Sequence, residues 1–213
     1  MGRDELNREL RRQRLVAVVR SRSSELAFET ATAAAAAGVK FIEITFSVPG
    51  ALDVIKNLAH RADFNVGAGT VLSKQQAEQA IRVGAQFIVS PTLELNLLPV
   101  CHEADIACFP AAATPTEILA AARAGADLVK IFPADLLGGV EFVRQMRGPF
   151  PEIRFMVSGG VNRNNVKEYV QAGVIGVCLS SSYLAQLLAE QGKNGLVEAV
   201  RELVTLVAEA QSG

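Results

Sequence analysis

A phrase of amphipathic helix, glycine and short apolar strand recurs four times along the chain. It reads AGVKFIEIT, VGAQFIVSP, AGADLVKIF and AGVIGVCLS, with the glycines at positions 38, 84, 125 and 173. The glycines are 46, 41 and 48 residues apart, which is the length of two strand–helix units. The repeat therefore predicts that each phrase introduces an even-numbered strand of an alternating β/α chain.

Eight short apolar runs alternate with helix-like stretches that open with Ser, Thr or Asn and close with glycine. The predicted strands are 15–19, 40–45, 64–68, 86–90, 105–109, 127–131, 153–157 and 175–179. Eight such units in 213 residues favour an α/β fold with one domain over residues 1–213, a (β/α)8 TIM barrel with an N-terminal helix. An open doubly wound sheet is the alternative.

The fifth residue after each glycine of the repeat is predicted to point into the barrel. These residues are Glu43, Val89, Lys130 and Cys178, and their neighbours on both sides are nearly all apolar. Because alternate strands of an eight-stranded barrel fill one interior layer, Glu43 and Lys130 are expected to share a layer. A buried ammonium group is costly unless it is paired or loses its proton.

This acid and this lysine have two interpretations. In the first interpretation, Glu43 and Lys130 form an ion pair with a purely structural role, although buried ion pairs contribute little to stability. Alternatively, the apolar setting leaves free amine on Lys130, which can form an imine with a ketone or aldehyde while Glu43 moves protons. The second interpretation predicts Schiff-base chemistry.

Glycine and hydroxyl residues follow the last two predicted strands, where barrels commonly bind phosphate. They are Ser158, Gly159 and Gly160 in the SGG motif, and Ser180 and Ser181 in the LSSSY motif. Arg20 follows the first strand, where its guanidinium is either a solvated surface group or a partner for a carboxylate.

Charge and cysteine content exclude several classes of function. A formal net charge of −1 without a basic block argues against a nucleic-acid or membrane-surface partner. The three cysteines lack CxxC spacing, and His60 and His102 fall in separate helix-like segments that we predict to be at the surface. No metal site, disulfide framework or other cofactor is therefore expected. We expect a cytoplasmic protein that acts on a small molecule.

The motifs IEITFSVP, VGAGTVL, FIVSP, TPTE, VKIFPA and SGGVN together resemble the class I aldolases for 2-keto-3-deoxy-6-phosphogluconate (KDPG), whose relatives also cleave 4-hydroxy-2-oxoglutarate (KHG). The resemblance covers almost the whole chain. It implies a homotrimeric barrel that needs no metal and releases pyruvate from a keto-acid substrate, with Lys130 as the Schiff-base lysine and Glu43 as general acid and base. It further implies the following substrate-binding residues: Arg20, Thr70 and Pro91 around the pyruvate carboxylate and imine, Phe132 beside them, and Gly159, Gly160 and Ser181 at the phosphate.

Three departures from the family pattern bear on the substrate. Ser180 and Ala111 stand where the family usually has glycine, and Ser158 stands where many members have threonine. A side chain at Ser180 would crowd a phosphate or add a hydroxyl to its site. The same imine would permit decarboxylation of oxaloacetate or cleavage of an unphosphorylated keto acid. A non-catalytic sugar-phosphate-binding barrel and a metal-dependent epimerase are the remaining alternatives.

Overall fold

The structure, a computed structural model, describes residues 2–212. Its elements in chain order are α1 (Arg3–Gln13), β1 (Leu15–Val19), α2 (Ser24–Ala36), β2 (Phe41–Thr45), α3 (Ala51–Ala59), β3 (Asn65–Gly69), α4 (Lys74–Arg82), β4 (Phe87–Val89), α5 (Leu97–Glu103), β5 (Ala107–Phe109), β6 (Ala111–Ala112), α6 (Pro115–Arg123), β7 (Val129–Ile131), α7 (Gly139–Arg147), β8 (Phe155–Ser158), α8 (Val166–Gln171), β9 (Gly176–Leu179) and α9 (Ser181–Ser212).

All the strands of the described residues are parallel and belong to one sheet, in the order β5-β4-β3-β2-β1-β9-β8-β7-β6. The two strands at the ends of this order are consecutive in the chain and are separated only by Pro110. The amide of Lys130 on β7 donates to the carbonyl of Pro110 at 2.9 Å, and the amide of Asp127 donates to the carbonyl of Cys108 on β5 at 3.3 Å. The sheet therefore closes into a barrel with eight strand positions, and the predicted (β/α)8 fold is confirmed.

The predicted fifth strand is divided in two. Pro110 has no N–H group to donate to a ladder, so it separates β5, which pairs with β4, from β6, which pairs with β7. The structure therefore has two strands in this part of the chain where the sequence predicts one, and nine strands instead of eight within residues 2–212.

Four glycines end the helices that precede the even strand positions, as the repeat predicts. Each has a positive φ, between 83° and 104°, which is a conformation that side chains rarely adopt. Each donates its N–H to a carbonyl in the last turn of the preceding helix, at 2.9 to 3.0 Å. These glycines are Gly38, Gly84, Gly125 and Gly173, and they direct the chain into β2, β4, β7 and β9.

The barrel has an outer and an inner apolar layer. The predicted helix-facing side chains lie in the outer layer, between the sheet and the helices: Ile42, Ile44, Ile88, Val129, Ile131, Val177 and Leu179. Val89 and Cys178 lie in the inner layer with Phe41 and Phe87. The predicted alternation of inward and outward side chains on these strands is therefore observed.

Helix α1 closes the amino-terminal end of the barrel. Leu6 and Leu10 pack in the inner apolar layer and are 1% and 0% exposed. Arg3 Nε and Asn7 Nδ2 donate to one carboxylate oxygen of Asp127 at 2.7 and 2.6 Å. The predicted N-terminal helix is therefore present, and both apolar packing and an ion pair attach it to the barrel.

Two sequence predictions are wrong at this end of the barrel. The strands predicted to begin at residues 105, 127 and 153 begin two residues later. Asp127, which is predicted to be the first residue of a strand, lies before β7, and its carboxylate accepts hydrogen bonds from α1. His60 is exposed as predicted, but His102 is not a free surface residue: its side chain is 26% exposed, and its Nε2 lies 3.6 Å from Asp127 Oδ2. Within residues 2–212, no helix is both long enough and apolar enough to cross a membrane.

Candidate active site

Lys130 and Glu43 meet inside the barrel, in the arrangement that the interior-layer argument predicts. Lys130 Nζ lies 3.8 Å from Glu43 Oε2, and the two residues are 5% and 1% exposed. Lys130 Nζ also lies 5.5 Å from the centroid of the Phe132 ring, so an aromatic face covers one side of the amine. The pair stands in surroundings that are otherwise almost entirely apolar.

One oxygen of Glu43 has an unused capacity to accept a hydrogen bond. Oε2 is buried and receives no hydrogen bond from the described residues, because 3.8 Å to the lysine nitrogen is longer than a hydrogen bond. Buried carboxylate oxygens almost always have a donor, so an exception calls for an explanation. An acceptor placed next to an amine is suited to taking a proton from a hydroxyl group of a ligand.

The GAG segment of β3 makes the room that Glu43 requires. A Cβ atom on Gly69 would lie 1.9 Å from Glu43 Oε1, and a Cβ atom on Gly67 would lie 2.4 Å from the ring of Phe87. Both distances are far below the closest approach of a Cβ atom to any non-bonded heavy atom, about 3.0 Å, so no side chain fits at either position unless its neighbour moves. Both glycines belong to the VGAGTVL motif of the family resemblance, but the space that they leave for neighbouring side chains was not predicted from the sequence.

Cys178 and Ser158 lie beside the pair. Burial raises the pKa of the Cys178 thiol to about 12, and the nearby Glu43 carboxylate adds to this effect, while Lys130 and a hydrogen bond from Ser158 oppose it. Cys178 is therefore a neutral thiol at physiological pH. Ser158, at the end of β8, pairs in register with Cys178 of β9, so the structure brings this predicted site residue next to the acid and the lysine.

Arg20 and Thr70 form a polar contact at the barrel mouth. Arg20 is exposed, and its Nη2 donates to Thr70 Oγ1 at 3.2 Å. Thr70 directly follows Gly69 and has a φ of 56°, which is an uncommon conformation for a branched residue and is often associated with functional sites. Pro91 is half-buried and follows Ser90 at the end of the fourth strand position, so it lies at the same end of the barrel.

The two candidate phosphate loops follow neighbouring strands, β8 and β9. Gly159 and Gly160 have φ values of 107° and 67°, and a Cβ atom on either would lie within 2.8 Å of the side chain of Asp135. Asp135 was not singled out from the sequence, although it follows the KIFPA motif directly. Ser181 begins α9, so its backbone N–H group is one of those that the helix itself does not use.

The side chain of Ser180 caps the first turn of α9. Its hydroxyl oxygen accepts the amide N–H of Tyr183 at 3.3 Å and lies 3.0 Å from the hydroxyl oxygen of Ser182. Ser180, which departs from the family pattern, therefore accepts a hydrogen bond from one of the N–H groups at the N-terminus of α9, and a ligand would have to compete for that N–H group.

The alternative of a metal-dependent epimerase requires a cluster of metal-binding side chains. Across residues 2–212, no group of three His, Cys, Asp or Glu side chains has an arrangement that could hold a metal ion. Both histidines lie outside the interior layer that contains Lys130: His60 directly follows α3, and His102 lies on α5.

Comparison with known proteins agrees with this geometry. A family described as "Aldolase: KDPG and KHG aldolase" matches residues 6–200 of the chain. This chain belongs to the KDPG and KHG aldolase family. A curated member, the 2-dehydro-3-deoxy-phosphogluconate aldolase of Treponema pallidum, is 38% identical over 162 residues, which are 76% of this chain and 77% of that protein.

Solved structures of KDPG aldolases superpose on most of the chain. The enzyme of Zymomonas mobilis with 3-phosphoglycerate has a TM-score of 0.84 and 26% identity, and the match covers 97% of each chain. The enzyme of Legionella pneumophila, with pyruvate captured as a covalent carbinolamine intermediate, has a TM-score of 0.78 and 25% identity over 96% of this chain and 97% of that one. The predicted family and fold are therefore confirmed.

The contact between Gly69 and Glu43 generates a prediction for this KDPG/KHG aldolase family member. In Gly69→Ala the new methyl group must displace the Glu43 carboxylate, so we expect kcat to fall by about 10²-fold or more, the scale of losing a general acid–base group. We also expect the free energy of unfolding to fall by about 1–3 kcal/mol from overpacking. Steady-state kinetics and urea unfolding measure the two effects.

Gly148→Ala is the matched control, because a Cβ atom there would have its nearest neighbour at 3.5 Å, an ordinary contact. A Gly69→Ala variant that kept the kcat of the control would contradict the inferred role of this glycine.

Proposed function

We propose that this protein is a class I aldolase that cleaves KDPG to pyruvate and glyceraldehyde 3-phosphate, and KHG to pyruvate and glyoxylate. The observation that carries the proposal is the 3.8 Å approach of Lys130 Nζ to Glu43 Oε2 inside an apolar barrel. Membership of the KDPG and KHG aldolase family supports this reaction over decarboxylation of oxaloacetate and over a non-catalytic binding role.

The first half of the reaction forms an imine on Lys130. The neutral amine attacks the C2 carbonyl carbon of the keto acid, and the carbinolamine that results loses its hydroxyl group as water. Glu43, which holds the proton that Lys130 has given up, supplies it to the departing hydroxyl group and is left as a carboxylate. The protonated imine nitrogen then stands two bonds from C3, where it can accept the electron pair of a breaking bond.

The second half breaks the bond between C3 and C4. Glu43 takes the proton of the C4 hydroxyl, the C4–O bond becomes a carbonyl, and the electrons of the C3–C4 bond move to the imine nitrogen. The aldehyde leaves, and the enamine on Lys130 takes a proton at C3. Water then hydrolyses the imine, which releases pyruvate and restores the amine. The unpaired oxygen of Glu43 supports its role in these transfers.

Residues at the barrel mouth orient the substrate. Arg20 and Thr70, which already contact each other, would bind the carboxylate of the keto acid, because a guanidinium group and a hydroxyl group match its oxygens. Phe132, whose ring covers the lysine amine, and Pro91 would pack against the apolar part of the pyruvyl group.

The far end of KDPG carries the phosphate. We assign it to the backbone N–H groups of Gly159 and Gly160 and to Ser181 at the start of α9, with Ser158 and Ser180 at the edges of the same site. N–H groups at a helix N-terminus favour anions through both hydrogen bonds and the helix dipole.

The setting of the enzyme is part of the proposal. We propose one domain over residues 1–213 that assembles as a homotrimer, as the family resemblance implies. We also propose a cytoplasmic location, because the cysteines are free thiols, which suits a reducing compartment.

The nucleophile is tested by trapping. Borohydride reduction in the presence of pyruvate should add one covalent pyruvyl group to the wild type and none to Lys130→Met, as measured by mass spectrometry of the intact protein and its peptides. Lys56→Met, at an exposed site on α3, is the control and should be labelled like the wild type. An adduct that persisted in Lys130→Met would exclude this lysine.

The role of Glu43 is tested separately. Glu43→Gln keeps the size and the hydrogen-bonding capacity of the side chain but cannot accept a proton, so kcat should fall by about 10²-fold or more while KM changes little. Borohydride trapping with substrate in excess shows whether the imine still forms. Near-normal kcat in a folded Glu43→Gln protein would reduce Glu43 to the counter-ion of a buried pair.

The phosphate site is tested through Ser180. Because its hydroxyl occupies the N–H of Tyr183, Ser180→Gly and Ser180→Ala should each release one donor for the phosphate. The ratio of kcat/KM for a phosphorylated substrate to that for its unphosphorylated twin should rise by about 10-fold, as one charge-assisted hydrogen bond allows.

Ser73→Ala removes a comparable cap from α4 and should leave this ratio unchanged. A rise in Ser180→Gly alone would mean that the Cβ atom of Ser180 crowds the phosphate. Equal kcat/KM values for the two twins in every variant would rule out a phosphate site in these loops.

A further inference from the structure

A long groove opens on the barrel mouth beside the proposed active site. It is lined by the end of β1 and the residues that directly follow it, by α2, by the loop after β2 and by the first half of α9, which follows β9. These three strands are neighbours in the sheet. Two of its lining residues, Arg20 and Ser181, are the ones that we assign to the two ends of KDPG, so the groove continues from the substrate site.

The groove is larger than KDPG requires. Its volume is about 1210 Å³, above the range of ~300–1,000 Å³ that is typical of small-molecule sites. It extends along α9 from Ser181 to Lys193, a distance of about 18 Å at ~1.5 Å per helical residue. A six-carbon acid phosphate with carbon–carbon bonds of ~1.5 Å is only roughly 10 Å long, so it cannot reach the far end.

The groove combines mostly apolar walls with an excess of positively charged side chains. The walls are mostly apolar and include Leu26, which is 48% exposed, and Leu188. Three cations line the groove, Arg20, Arg22 and Lys193, against one acid, Glu29, and none of these four forms an ion pair with any residue between 2 and 212. The chain leaves its helical path at Gly192, next to Lys193. An anion at the end of an apolar chain is the complement of this surface.

We propose that the groove is a subsite for longer substrates: 2-keto-4-hydroxy acids that carry beyond C4 an apolar tail with an anionic end, which Lys193 binds. The proposal rests on the proposed aldolase function and adds a substrate class to it. The bond changes are those given for KDPG. The C3–C4 bond breaks, the C4 hydroxyl proton goes to Glu43, and the tail leaves as an aldehyde.

The test uses two synthetic substrates of the same shape. Both are 4-hydroxy-2-oxobutanoates with a biphenyl group on C4, and the distal ring carries a carboxylate in one and a carboxamide in the other. Release of the biphenyl aldehyde, followed by its absorbance, gives kcat/KM. We expect the wild type to cleave both and to prefer the carboxylate by up to about 5-fold, as one solvent-exposed ion pair allows.

Two pairs of variants locate the tail. Lys193→Gln should remove the preference for the carboxylate, whereas Lys56→Gln, at an exposed position on α3, should keep it. Ala185→Trp fills the groove from an exposed position and should lower the ratio of biphenyl to KDPG cleavage by about 10-fold or more. Gln186→Trp, on the neighbouring exposed position outside the groove, should not change this ratio.

Several outcomes would overturn the proposal. Cleavage of KDPG without cleavage of either biphenyl compound would show that the groove does not take the tail. An unchanged ratio in Ala185→Trp would show the same, and a change in oligomeric mass in that variant would then indicate that a second copy of the chain covers the groove. Absence of pyruvate from KDPG together with absence of a borohydride adduct would instead refute the aldolase function itself.

Discussion

The structure depends on the placement of one acid and one lysine inside a barrel that has almost no other polar group at that depth. Replacing such a pair by apolar residues is often neutral or stabilising, whereas removing one partner leaves a buried charge and costs about 3–5 kcal/mol. The 3.8 Å separation of Lys130 and Glu43 also leaves a carboxylate oxygen without a hydrogen bond. An arrangement that is poor for stability and good for proton transfer is better explained by chemistry than by folding.

The barrel provides for this pair through its smallest residues. The side chain of Glu43 fits because the residue of β3 beside its carboxylate is Gly69, and the ring of Phe87 fits because the residue of β3 beside it is Gly67. One strand thus gives up two side chains of its own, which weakens it, so that an acid and an aromatic ring can fill the interior. In return, the inner layer packs closely: the ring centroids of Phe41 and Phe87 are 5.9 Å apart.

Much of this could be predicted from the sequence because it follows from local periodicity. The four repeat glycines give the ends of the helices, and a period of two residues in the strands then gives the inward positions, including Glu43 and Lys130. What could not be predicted depends on neighbours that are distant in the chain. The contact of Gly69 with Glu43 joins the neighbouring strands β3 and β2. Asp127 binds Arg3 on a helix more than 120 residues away, and the break at Pro110 shows only when both neighbouring strands are in place.

The two ends of the barrel differ in how far the chain itself covers apolar surface and pairs charged side chains. At the amino-terminal end, Leu6 and Leu10 fill the interior, and Arg3 and Asn7 of α1 bind the carboxylate of Asp127, so the chain itself covers the interior there. At the other end, Arg20, Arg22 and Lys193 have no ion partner among residues 2–212, and apolar side chains such as Leu26 remain exposed. Because unpaired charges and exposed apolar surface favour binding rather than stability, the groove along α9 belongs to the functional end of the molecule. The chain builds it from α2 and α9, which are far apart in the sequence and meet because β1 pairs with β9.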